Sequence, residues 1–408
     1  MTVLRTATFL ACLSLAFAAS ADARTLVTLH TFCSEADCAD GQFPGGGLVR
    51  DARGNFYGVT EQGGAHNQGV VFELDQQGKQ FVYKVLHSFC RDCGEGWFPH
   101  AGLIVDADGN LYGTTEAGGP HDCGTVFELK RRRLVTLHSF CADGDDGDIP
   151  ATGLTYAGQA SGVAYDGASP LYGTTADGGT HNLGTVFKLT RKTNRKWHAK
   201  TLYSFCSQNQ CADGLQPNGE VALDGDGNLY GVTAFGGSDN NGVIYKISGT
   251  TETVLWNFCL GGCQSGANPG GSLLRDDQGN LTGTTLNTTS ENGNLYRFNG
   301  SGLDILHTFC SPPDCTDGYG PSAGVVTKGS VLYGTTQFGG TGANGVGAGT
   351  VFQYFGSTLT TLYNFCSAQD CTDGRIPEGQ LALDPVGNLF GVTAQGGSGS
   401  GTVFELKA

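Results

Sequence analysis

One short phrase, spelled seven times at even spacing, constrains this chain more than any other feature. GNLYGTT at residues 109–115 returns as GNFYGVT at 54–60, GNLYGVT at 227–233, GNLTGTT at 279–285 and GNLFGVT at 387–393. PLYGTT at 170–175 and VLYGTT at 331–336 are weaker copies. The glycine inside each copy falls at 58, 113, 173, 231, 283, 334 and 391, in steps of 51 to 60 residues. A phrase that returns at such a period marks one supersecondary unit stacked against its own copies.

Each unit holds four short pieces rich in β-branched and aromatic residues and bounded by Gly, Asp or Asn. In the second unit they are GLIVD from Gly102, NLYGTT from Asn110, GTVFEL from Gly124 and RLVTLHSF from Arg133. We name them strands A to D. No stretch of the mature chain carries a long helical period. The expected fold is therefore all-β, a seven-bladed β-propeller of four-stranded blades. TLVTLHTF near the N-terminus reads as a lone strand D, and the last residues read as A, B and C. The N-terminal strand is thus expected to join the C-terminal blade, closing the ring and removing exposed edges. The glycine inside strand B is expected where a neighbouring backbone comes close.

The first 23 residues read as a secretory signal peptide. Arg5 precedes an apolar run from Ala7 to Ala19 and a small-x-small site at residues 21–23. The run is too short to span a membrane, and no second apolar segment follows. Residues 24–408 are expected to form a single propeller that is secreted or periplasmic. The net charge of −15 argues against a general nucleic-acid partner. The oligomeric state is left open.

Cys12 would leave with the signal, and fourteen cysteines remain. Twelve follow strand D in close pairs: Cys33 with Cys38, Cys90 with Cys93, Cys206 with Cys211, Cys259 with Cys263, Cys310 with Cys315, and Cys366 with Cys371. A lone CxxC is also a redox or metal motif. Here the spacing drifts between copies, which structural disulfides tolerate and those chemistries do not. Cys123 precedes strand C and Cys141 follows strand D of blade two. Antiparallel C and D strands bring these ends together, so a seventh bridge is expected there.

The whole unit, "DG…P…GL…D..GNLYGTT..GG….GTVFEL….LHSF", resembles the GloVer tandem-repeat family, the "choice-of-anchor" secreted repeat proteins. More loosely it is similar to Asp-box and sensor-type propeller repeats. The resemblance spans nearly all of the mature chain. It implies an exported or surface-attached propeller and brings no catalytic residue with it. Many members end in a sorting anchor, and none is expected here. The cysteine-bearing D–A loops depart from the family pattern of Gly and small polar residues.

Candidate chemistry concentrates on the D–A and B–C loops, which share one face of a propeller. Asp40, Glu95, Asp146, Asp213, Asp317 and Asp373 each precede a glycine in the D–A loop, with Ser265 at the seventh place. They form either a cation site or a repeated Asp-Gly turn bonded to its own loop. His66, His121 and His181 occupy equivalent B–C loop positions in three blades only. His100 follows Pro99 beside Trp97, where other blades hold Gly45, Ala151, Asn218, Gly270, Ser322 and Glu378. His100, His121 and Glu378 are the candidate catalytic groups, and Trp97, His66 and His181 join the acids as binding candidates. His30, His87, His138 and His307 share a strand-D position with Tyr203, Trp256 and Tyr363, which reads as outer-rim packing. The A–B turns, DADGN and DGDGN among them, read as hairpin turns. They are only faintly like calcium loops, since the closing Glu is missing. Basic turns at Lys130 and Arg191 lie on the opposite face, as solvated hairpins or as contacts to lipid phosphate or an acidic glycan.

No nucleophile elbow, zincin, phosphate-loop or dinucleotide motif stands in a suitable context. The expected function is a binding module for a glycan or a cell-surface protein. The alternative is a carbohydrate-active enzyme, a lyase or glycosidase, on the D–A/B–C face; a third is a structural envelope role. No cofactor is required, and calcium is the one ion the turns suggest.

Overall fold

The computed structural model describes residues 24–142, 144–259, 265–287, 292–310, 314–342 and 347–408. Residues 1–23, where a signal peptide is expected, and Cys263 lie outside them, and Cys12 with the former. Seven four-stranded antiparallel sheets follow one another as blades of a propeller. Blade one runs Gln42–Arg50, Phe56–Gln62, Val70–Gln77 and Gln80–Ser88, as strands A to D. Blade seven takes strands A to C from Arg375–Leu383, Leu389–Gln395 and Thr402–Leu406. Its strand D is Leu26–Thr31, which pairs antiparallel with Thr402–Leu406. That pairing closes the ring. Among the described residues the only helical turns are short 3-10 pieces, and no helix is long and apolar enough to cross a membrane.

The core lies between blades. The cluster of Phe32, Phe390, Val392 and Val403 from blade seven with Phe56, Val70 and Phe72 from blade one is typical. Tyr112, Val126 and Phe140 of blade two meet Leu154, Leu171 and Phe187 of blade three in the same way. Each blade buries both faces, which explains why TVF and LIV runs replace a polar alternation.

The strand-B glycines have a different reason from the one expected. A Cβ on Gly113 would lie 2.6 Å from Leu103 Cδ2 and 2.8 Å from Phe127 Cζ. Phe127 is the residue paired with Gly113 on strand C. Its ring folds across the glycine, so a side chain comes close there and not a backbone. Each repeat sets an aromatic ring against this glycine, Phe72 on Gly58 and Tyr245 on Gly231 among them.

A second glycine latches blade to blade. Gly242, just before strand C of blade four, has φ +93°, and a Cβ there would meet Thr233 O at 2.2 Å and Pro269 Cδ of the next blade at 2.7 Å. The left-handed backbone and the close proline explain why GTVF-type starts and the D–A prolines recur together.

The cysteines bridge Cys33–Cys38, Cys90–Cys93, Cys206–Cys211, Cys310–Cys315 and Cys366–Cys371. Cys259 is also disulfide-bonded. Cys123 and Cys141 are joined, with Cα atoms 5.9 Å apart.

Candidate functional site

Strand A lines the axis, and it bulges there. In blade one the register with strand B shifts between Gly45 and Val49. Blades four, five and seven shift at the same place, and in blade two strand A is split there into Gly96–Trp97 and Ile104–Val105. The released residues turn toward the axis and bound a cavity of about 370 Å³. Its wall is largely backbone, with Gly46, Gly47, Gly102, Gly153, Gly219, Gly271 and Gly324 on successive blades.

Against that small-residue wall, polar side chains stand out. His100 and Glu378 line the mouth on the D–A/B–C face. His100 Nδ1 donates to Glu61 Oε1 across the blade one–blade two boundary at 2.6 Å. A Cβ on Gly45 would lie 3.0 Å from His100 Nδ1, so the glycine of blade one leaves room for the histidine of blade two. The hydrogen bond to Glu61 is the main force that pushes His100 up to about 9, against burial and with help from Glu116 and Glu378. Burial raises both Glu116 and Glu378, while the charge on His100 pulls them back down. The mouth therefore carries an imidazolium ringed by three carboxyl groups from blades seven, one and two.

Deeper in the channel stands Glu220, where the other blades have Gly47, Gly102, Gly153, Ser272, Gly324 and Gln380. Burial pushes its carboxyl up to about 7, opposed by a hydrogen bond from Gln159. Gln159 belongs to the long A–B connection of blade three, where a 3-10 turn spans Gln159–Ser161. That connection brings Gln159 to the waist shared by the upper cavity and two cavities on the opposite face.

The same upper face carries an aromatic pair on blade six. Tyr319 and Phe338 stack at 5.4 Å between centroids with 30° between planes. Both are exposed, at 36% and 37%.

The remaining sequence candidates fall elsewhere. Asp40, Glu95, Asp146, Asp213, Asp317 and Asp373 do not line the channel. Each accepts a hydrogen bond from the strand-D aromatic before it: His30, His87, His138, Tyr203, His307 and Tyr363, at 2.7 to 3.0 Å. Loop amides add to this, as Ser34 N and Glu35 N do on Asp40. The acids and the outer-rim histidines, read separately in the sequence, are one paired device. Where Trp256 replaces the partner, Ser265 replaces the acid and accepts from Cys259 N at 2.8 Å.

His66, His121 and His181 are exposed on separate blades, and none of them belongs to a group of possible metal ligands among the described residues. Trp97 packs on Phe98 beneath the Arg91 guanidinium, 4.7 Å from the ring centroid. In the A–B turns, Asp106 Oδ1 accepts from Asp108 N and Asn110 N, and Oδ2 from Asn110 Nδ2 and Tyr112 OH. These are hairpin caps. Among the described residues one trio of possible metal ligands lies within reach of itself, Cys123, Cys141 and Asp148, and its two cysteines are bonded to each other.

Sequence reasoning found His100 and Glu378 but missed Glu61, Glu116, Gln159 and Glu220. A signal existed. The residue after the last strand-B threonine is Glu61, Glu116 and Gln337 in three blades, but Ala176, Ala234, Leu286 and Ala394 in the others.

A family model described as the Gloeobacter/Verrucomicrobia repeat matches residues 15–170 and 158–347. No curated protein matches the sequence significantly. Among solved structures, the extracellular domain of a putative one-component system from B. thetaiotaomicron is similar with a TM-score of 0.52 and 14% identity. The match covers 94% of this chain and 42% of that one. A nidogen/laminin complex gives a TM-score of 0.41 at 15% identity, over 72% of this chain and 90% of that one. A putative oxidoreductase (glucose dehydrogenase) from Thermus thermophilus gives 0.41 at 18% identity, over 74% and 95%. At these identities a likeness speaks for fold alone, and the two weaker ones carry no argument.

Proposed function

The chain belongs to the Gloeobacter/Verrucomicrobia repeat family, and from that premise we propose that it is an extracytoplasmic binding module that takes a glycan at the mouth of its axial channel. The observation that carries this reading is the break in symmetry at the mouth. The strand-A wall, mostly glycine and other small residues, carries His100 and Glu378 at its mouth, and Glu61 and Glu116 act on His100 from the ends of strands B in blades one and two. Paired donors and acceptors of this kind suit sugar hydroxyls, and a cavity of about 370 Å³ falls within the ordinary range for ligand pockets. The exposed Tyr319–Phe338 pair offers an apolar face for a pyranose ring on the same side. The disulfides fit an oxidising compartment.

A second reading is kept for one observation. Glu116 and Glu378 both hold their protons to higher pH than free carboxyls, beside the charged His100. A proton-holding carboxyl is what a general acid needs in glycoside cleavage.

Affinity electrophoresis through gels containing neutral polysaccharides tests the first reading. The wild type is expected to be retarded by at least one of them, and His100→Ala is expected to run free. Retardation by none, or equal retardation of the variant, overturns it. Mass spectrometry of the same polysaccharides after incubation, with and without calcium, separates the readings, because only the enzyme shortens chains.

A further inference from the structure

The C–D turns of blades two and three hold the densest positive charge in the chain. Ten of its 23 lysines and arginines lie between residues 130 and 200, in a protein of net charge −15. Strands D of the two blades, Arg133–Ser139 and Trp197–Ser204, touch, and their turns belong to adjacent blades on the same face. Lys130, Arg131, Arg132, Arg133, Arg195 and Lys196 are all exposed. None of the six forms an ion pair with a carboxylate among the described residues.

The backbone of these turns is the second observation. Lys130 pairs with Arg133, which leaves Arg131 and Arg132 as a two-residue hairpin loop. Their φ angles are +48° and +65°. A loop with both residues left-handed favours Asn-Gly. The corresponding two-residue turns of blades one, four and six place Gly78, Gly249 and Gly356 at the first position, all at positive φ. Arg195, in the turn of blade three, is also left-handed at +64°. Two adjacent turns thus hold long cations in backbone conformations that other residues fill at less strain. Strain kept in this way points to use.

We propose that this corner of the lower face docks a linear polyanionic glycan, at a surface separate from the channel mouth and independent of what binds there. The shape of the charge selects a chain over a membrane. The inner turns of the same face expose Asp108, Asp226 and Asp277. A flat anionic bilayer laid across the face meets those carboxylates, whereas a linear chain touches the basic corner alone.

The test is surface plasmon resonance on immobilised polygalacturonate in calcium-free buffer, with the mature, oxidised protein. The variant carries Arg131→Asn, Arg132→Gly, Arg195→Asn and Lys196→Gln. The first two install the sequence the turn favours, so the variant is expected to melt no lower than the wild type. Wild-type binding is expected to weaken about tenfold or more from about 50 to about 200 mM NaCl. The variant is expected to bind about tenfold or more weakly than the wild type at the lower salt, and His100→Ala to bind as the wild type does. Absent wild-type binding at low salt, or a variant within about twofold of the wild type, overturns the proposal. So does tighter capture by vesicles of phosphatidylcholine and phosphatidylglycerol than by the polysaccharide.

Discussion

His100 Nδ1 and Glu61 Oε1 lie 2.6 Å apart and tie blade two to blade one across the mouth of the channel. Glu61 raises His100 to about 9, well above the ordinary histidine value of 6.5. A group raised on folding adds stability that is full below its unfolded value and is lost as pH climbs through its folded one. The pair is therefore expected to stabilise the protein below pH ~6.5 and to lose that contribution by pH ~9. The side chain of His100 is 41% exposed, so solvent screening reduces the effect to about 1 kcal/mol. Thermal melts of Glu61→Gln across this window are expected to show a flatter decline than wild-type melts.

Glu220 acts in the opposite sense to a stabilising pair. Its carboxyl is raised to about 7 by burial, so the folded chain resists its ionisation. The penalty begins above the unfolded value near ~4.5 and is complete above ~7. Glu220→Gln is expected to raise the melting temperature at pH ~8, by the equivalent of roughly 1–2 kcal/mol, and to change little at pH ~4. Equal melting of variant and wild type at both pH values would contradict the assignment.

Gly113→Ala places a methyl against Leu103 and the Phe127 ring. The neighbours fill the space already, so overpacking is expected to cost about 1–3 kcal/mol. Denaturant melts read this directly. The matching change at Gly78, whose surroundings are open, meets no neighbour but a left-handed φ of +66°, so its cost is one of backbone alone.

The Cys123–Cys141 bridge closes a loop of 18 residues, longer than the five-residue separations of most other bridges. Loop entropy predicts that Cys123→Ser with Cys141→Ser loses about 3 kcal/mol, against about 2 for a five-residue loop. Parallel melts of that double variant and of Cys206→Ser with Cys211→Ser test the ranking.

The propeller and its closure were legible because a repeat is written along the chain. Cys123 and Cys141 were legible for the same reason, since strand order alone places them side by side. The coupling of Asp213 to Tyr203, or of Asp40 to His30, was visible as two repeating positions but not as one bond, because strand and loop meet only in space. The channel mouth was harder. It takes Glu378, Glu61 and His100 from three blades that are distant in sequence, and each position is filled differently in the remaining blades. His100 and Glu378 stood out where positions after the D–A proline were compared. Glu220 sits two residues further along, in the bulge of strand A that turns side chains toward the axis.

The most direct measurement is histidine-selective NMR of the protein, titrated with a fragment of whichever neutral polysaccharide retards it. With the ligand at the channel mouth, the His100 resonances are expected to move with saturation while those of His66, His121 and His181 stay in place. Ligand saturation with His100 unmoved would place the binding site away from the channel mouth and contradict a role for His100 in binding.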